Sequence, residues 1–111
     1  MTEAFRVLSG AGAFTAAGGG THWVEHLRSE HLSVGTYSIP AGGTDGQSPH
    51  LEDEVYVVTS GVATLDVDGH PVPVRAGSVV FVAAHAPHRF VDIIEDLAAV
   101  VLFAPPETVG S

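Results

Sequence analysis

From His22 onward the chain is punctuated. Short runs rich in β-branched and aromatic residues give way to turn residues roughly every 8–12 positions. Nowhere does an apolar period of 3.6 residues persist long enough for a helix. The runs fall at 23–28, 32–39, 54–58, 63–67, 72–74, 79–82, 88–93 and 97–103. Asp68-Gly69, between two of them, is a strong hairpin signal, and Ser60-Gly61 and Ala76-Gly77 mark bends. Many short strands at even spacing mean a sandwich or a barrel, so the expected class is all-β. The runs 55–58 and 79–82 are apolar throughout, and 79–82 is expected to be buried on both faces. One face of such strands fills the core and the other needs a cover, which points to a homodimer.

Residues 1–21 are small and glycine-rich and read as a flexible N-terminal arm, with Val7 and Leu8 as a short edge strand. Residues 22–111 form one domain, of a size that can bury a core without staples. The arm lacks a basic start and carries Glu3 and Arg6, so no signal peptide is expected and the location is expected to be cytoplasmic. The longest apolar run, 97–106, is too short to span a bilayer as a helix. Thirteen acids against four arginines give a net charge of −9. That sign disfavours nucleic acid and anionic membrane surfaces as partners. Cysteine is absent, which removes disulfides, thiolate metal sites and a thiol nucleophile. Seven histidines and the carboxylates are the metal ligands that remain.

Two stretches concentrate them: 47–54 (Gln-Ser-Pro-His-Leu-Glu-Asp-Glu) and 85–88 (His-Ala-Pro-His). On a straight strand His50 and Glu54 would lie about 13 Å apart, at about 3.3 Å per residue. They meet only if 51–53 turns the chain. Glu52 and Asp53 read as a solvated acidic turn. His85 reads as a solvated turn residue, and Asp92 is expected to point with His88 and Phe90 by alternation. Tyr37, Tyr56, Phe81, Phe90 and Phe103 are core candidates, with Tyr56 alternating into the barrel beside Glu54. Trp23 is expected at the barrel end or an interface. His22, His26, His31 and His70 are surface candidates.

These stretches resemble the cupin superfamily. Its first motif is a glycine, five residues, His-x-His, three or four residues, Glu, six residues, Gly. The chain has Gly42, five residues, Ser48-Pro49-His50, three residues, Glu54, six residues, Gly61, with Ser48 where the first histidine belongs. The second motif is Gly, five residues, Pro-x-Gly, two residues, His, three residues, Asn. Gly77 and His88 match, while Ala83, His85 and Asp92 replace Pro, Gly and Asn.

The resemblance implies a double-stranded β-helix, or jelly-roll, barrel holding one divalent transition metal: Fe, Mn, Ni, Cu or Zn. Its ligands map onto His50, Glu54 and His88, with Ser48 at the place of a missing fourth and Gln47 as a substitute oxygen donor. Two histidines and a carboxylate leave open positions for a small-molecule ligand. The expected function is a metal-dependent enzyme of dioxygenase, lyase or isomerase type, with Gln47 and Tyr56 beside the metal. The alternative is a non-catalytic barrel that binds a small ligand or metal as a sensor, or a metal-free structural one in which His50 pairs with Glu54.

Overall fold

A computed structural model describes residues 4–18, 20–46 and 49–108. Six strands form one antiparallel sheet: β1 (His22–Arg28), β2 (Ser33–Ile39), β3 (Asp53–Val67), β4 (His70–Arg75), β5 (Val79–Val82) and β6 (His88–Ala104). The lateral order is β1-β2-β6-β3-β4, with β5 also paired to β3. Among the described residues there is no helix. The strand spacing implies a sandwich or a barrel; the barrel is a double-stranded β-helix, as the family resemblance implies.

The two long strands carry the roll. Residues 53–60 of β3 pair with 98–104 of β6, and residues 62–67 pair with 88–95, with register shifts between. On its other edge β3 pairs first with β5, through Glu54–Val82, and then with β4, through Val67–His70. The sequence reading places separate strands at 54–58 and 63–67, and again at 88–93 and 97–103. The structure joins each pair through a bulge, so the bend changes the direction of a strand without ending it. Gly61 makes the bend possible. Its φ is +94°, and a Cβ there would sit 2.4 Å from the Asp96 carbonyl oxygen.

Inward side chains of β3 and β6 form the core: Tyr56, Val58, Ala63 and Leu65 against Phe90, Ile93, Leu97, Ala99, Val101 and Phe103. Ile39, Val74 and Val82 close it from β2, β4 and β5. Strand β5 is covered on one side only. Val82 is buried, but Val79 is 65% and Phe81 62% exposed, so the expectations of a doubly buried strand and a core Phe81 are corrected. A run that is apolar at every position hides the alternation that would have revealed its outer face.

Residues 4–8 run as irregular chain, so the edge strand expected at Val7 and Leu8 is absent. Farther along, the backbone N–H of Gly12 donates to Thr36 Oγ1 (2.8 Å) and that of Thr15 donates to Ser38 Oγ (3.1 Å). Thr59 Oγ1 donates to the Gly12 carbonyl at 2.6 Å. These bonds lay residues 12–15 across β2 and β3.

Candidate metal centre

The site forms where the start of β6 rolls back over the start of β3. His88 pairs with Val67 at the far end of β3, yet its side chain meets Glu54 at the near end. His50 ends the loop before β3. Residues 51–52 bend the chain, as the spacing requires, and turn His50 back toward Glu54. One nitrogen or oxygen from each of His50, Glu54 and His88 lies within 4.8 Å of the others, and all three residues are buried. A first-row ion with bonds of about 2.0–2.2 Å can join such atoms after small side-chain rotations.

The hydrogen bonding of His88 is informative. Its Nδ1 lies 2.8 Å from the Ala86 carbonyl, which only accepts, so Nδ1 carries the proton. Nε2 of the neutral ring then presents a lone pair. It lies 2.7 Å from Glu54 Oε1 and 3.1 Å from the Tyr56 hydroxyl, with both side chains of the His–Glu pair 1% exposed. Two acceptors at that distance in a dry site need a cation between them, either a proton or a metal ion. The donor set and the ring orientation both fit a metal site, where the outer imidazole N–H commonly bonds to a backbone carbonyl. Burial pulls the His88 pKa down. The hydrogen bond to Glu54, the Ala86 carbonyl and the charges of Glu54 and Asp45 outweigh burial, so the net shift is upward.

Beside these residues lies a cavity of about 180 Å³. Trp23, Tyr37, Tyr56 and Phe103 form most of its wall, with His50 and Glu107 at the polar side. Trp23 lies directly over Gly35, where a Cβ would fall 2.3 Å from the indole. His50 stacks edge-on against Phe103 with centroids 4.8 Å apart. Trp23 thus lines the cavity at the barrel end, one of its two expected positions.

Several residues outside the motifs build the surroundings. Asp45 is 2% exposed; it accepts from the Tyr37 hydroxyl (2.6 Å) and from the Phe90 backbone N–H (2.8 Å). Burial and then Asp45 push the Tyr37 pKa well above its ordinary value, so the phenol keeps its proton. Glu52 is buried, not solvated as its sequence neighbours suggest. Its Oε2 accepts from the Thr108 backbone N–H and from Thr108 Oγ1 (2.5 Å). Glu107 donates its N–H to Ser33 Oγ, and its carbonyl accepts from Arg28. Its carboxylate stands 3.5 Å from His50 Nδ1. Burial, then Glu52, Glu25 and Glu54, raise the Glu107 pKa against the opposing charge of Arg28. None of these three acids carries a local signal, because the partners of their carboxylates lie 8 to 57 positions away.

The remaining motif positions divide. Gln47 and Ser48 lie outside the described residues. His85 is exposed with φ +70°, and its backbone N–H donates to the His50 carbonyl at 2.8 Å, so the turn holds His50 through its main chain. Asp92 is exposed with φ +49°, which interrupts the alternation and puts Ile93 in the core where Asp92 was expected to point. Asp53 is exposed, and its Oδ1 accepts from the Ala84 N–H. His22 and His26 bond to Thr15 and Thr36, while His31 and His70 are exposed.

A rolled antiparallel barrel with two imidazoles and a carboxylate at one end, next to an aromatic cavity, defines a β-barrel with a candidate metal and ligand site. The chain belongs to the cupin family: the family described as "Cupin domain" matches residues 35–105. An uncharacterised protein of Streptomyces coelicolor is 45% identical over 106 residues, covering 96% of this chain and 99% of that one. An RmlC-like cupin from Desulfovibrio desulfuricans superposes with a TM-score of 0.72 at 20% identity, over 96% of this chain and 99% of that one. The DMSP lyase DddQ from Ruegeria pomeroyi superposes with a TM-score of 0.71 at 23% identity. That match covers 77% of this chain but only 47% of the lyase. At these identities the two structures establish the fold. Among the described residues no helix is long and apolar enough to cross a membrane.

Proposed function

We propose that the protein is a metal-dependent enzyme of lyase, isomerase or dioxygenase type acting on a small organic molecule. His50, Glu54 and His88 hold one divalent transition ion, and the molecule binds in the adjoining cavity. The observation that carries this reading is the 2.7 Å approach of His88 Nε2 to Glu54 Oε1, with the imidazole proton committed to Ala86. A bound ion supplies Lewis-acid polarisation of a substrate oxygen. The chain's own groups do the rest. The Ala86 carbonyl fixes the His88 ring, and the His85 turn fixes His50 through its carbonyl. The Tyr56 hydroxyl, directed at His88, can hold or pass a proton inside the cavity. Trp23 and Phe103 exclude water from one side.

Elemental analysis of the purified protein after reconstitution with Fe(II), Mn(II), Ni(II), Cu(II) or Zn(II) tests the metal. One equivalent is expected in the wild type and little in His50→Ala or His88→Ala. Absence of stoichiometric metal would leave a proton bridging Glu54 and His88, so that His88, and not His50 as expected from the sequence, pairs with Glu54 in a metal-free ligand-binding or structural barrel. Full retention in both variants would move the site elsewhere. The exposed row of Val79 and Phe81, beside half-buried Val57 and Val55 on β3, supports a homodimer. Sedimentation at a monomer mass independent of concentration would remove it.

A further inference from the structure

The cavity beside the His–Glu cluster has a composition of its own. Four aromatic rings line it: Trp23, Tyr37, Tyr56 and Phe103. They stand as walls meeting at steep angles and are not stacked flat. Trp23 meets Tyr37 at 66° and Phe103 at 77°, with centroids 6.5 and 5.9 Å apart. Rings set at steep angles around a small space can turn faces toward an organic cation, and each face is the negative pole of a quadrupole. Glu107 supplies the charge on the same lining, while no arginine lines the cavity and the chain has no lysine. Of the two basic side chains near Glu107, Arg28 is engaged with the Glu25 carboxylate at 2.8 Å and with the Glu107 carbonyl, while His50 Nδ1 stands 3.5 Å from the Glu107 carboxylate.

We propose that the cavity is a cage for a small organic cation, such as a quaternary ammonium, sulfonium or amine group. Trp23, Tyr37, Tyr56 and Phe103 form its walls and Glu107 its counter-charge. The cage rests on the reading that the substrate occupies this cavity, and it names the class of that substrate: a cationic group at the aromatic end, with an oxygen function turned toward His50, Glu54 and His88. The Glu107 carboxylate faces His50 Nδ1 at 3.5 Å and also lines the cavity, so a cation bound there would lie beside it. The Glu107 side chain is only 20% exposed, so a cation placed beside it is weakly screened by solvent.

Trp23 is the chain's single tryptophan, so its fluorescence reports on this cavity without labelling. The probe is choline, compared with 3,3-dimethylbutan-1-ol, the uncharged carbon analogue of the same shape. Both are titrated into metal-loaded and chelator-treated protein whose metal content is measured in the same samples. Saturable choline binding at least tenfold tighter than the alcohol is expected. Glu107→Gln should weaken choline three- to tenfold and leave the alcohol unchanged. Equal affinity for the two probes overturns the cage, as does no saturable choline response in protein that binds its metal. If choline binds with the expected preference but no metal is taken up, the cage stands and the metal reading falls.

Discussion

Above the raised folded pKa of His88, replacing Glu54 by Gln should make the metal-free protein more stable while weakening its hold on metal. The wild-type carboxylate is 2% exposed, and one of its oxygens faces the lone pair of His88 Nε2 at 2.7 Å. At alkaline pH, where the bridging proton is scarce, the two acceptors oppose each other in a buried site. An amide N–H in place of the oxygen would donate to that lone pair. The Tyr56 hydroxyl, 3.1 Å away, can donate to Nε2, so the buried acceptor left without a donor is Glu54 Oε1; such a group costs about 1–3 kcal/mol, and the substitution recovers a sum of that order. For a domain near 100 residues this is on the order of 5–15 °C in melting temperature.

Metal should act in the opposite direction. At one hundred times its Kd an ion stabilises the wild type by about 2.7 kcal/mol. A variant that binds a hundredfold more weakly gains only about 0.4 kcal/mol at the same concentration. The advantage of Glu54→Gln should therefore shrink by about 2.3 kcal/mol when metal replaces chelator. Thermal melts of both proteins at pH 8, with EDTA and with metal, measure all four states. A variant less stable than wild type in EDTA would refute the apposition of acceptors. Equal metal-induced shifts in the two proteins would refute Glu54 as a ligand.

Other expectations follow from the same structure. Chelated wild type should lose stability as pH rises. The folded pKa of His88 is raised, so its contribution is complete below the ordinary value of about 6.5 and fades as pH passes the shifted one. Metal should flatten that slope, and urea unfolding between pH 6 and 9 checks both. Glu107 has the reverse sign. Its raised pKa disfavours the folded state above the shifted value, so Glu107→Gln should melt higher than wild type at pH 7, the gap closing toward pH 4. Asp45→Ala should cost about 2–4 kcal/mol in urea unfolding, because it strands the buried Phe90 N–H and the Tyr37 hydroxyl. Gly61→Ala should cost about 3 kcal/mol or more, since it combines a positive φ with a clash against the Asp96 carbonyl. A melting temperature within a few degrees of wild type would count against the bend as described.

Much of this architecture was legible from residue order. Strand spacing and Asp68-Gly69 disclose an all-β chain with a tight β3–β4 turn, and the family motifs bring His50, Glu54 and His88 to one address. Continuity of β3 and β6 was not legible, because Ser60-Gly61 reads the same whether a strand ends there or bends. The buried acids were missed for a related reason. Asp45, Glu52 and Glu107 sit among loop-forming residues, and their burial is decided by partners on other strands. Asp92 misleads because its positive φ breaks the alternation and turns Ile93 inward in its place. Phe81 misleads because hydrophobicity identifies what can be buried and says nothing about what covers it.

The roll of β6 over β3 also sets the order in which the site can come into being. His50 and Glu54 are neighbours in the chain, but His88 arrives on a strand whose later half must dock between β2 and β3. Such pairings close long loops and are slow for that reason. A partly folded chain, with β2 to β5 formed and β6 undocked, lacks the third side chain and the Phe103 wall of the cavity. The His–Glu cluster is therefore complete only once β6 has docked, and an ion that needed all three side chains would select the finished barrel over its precursors.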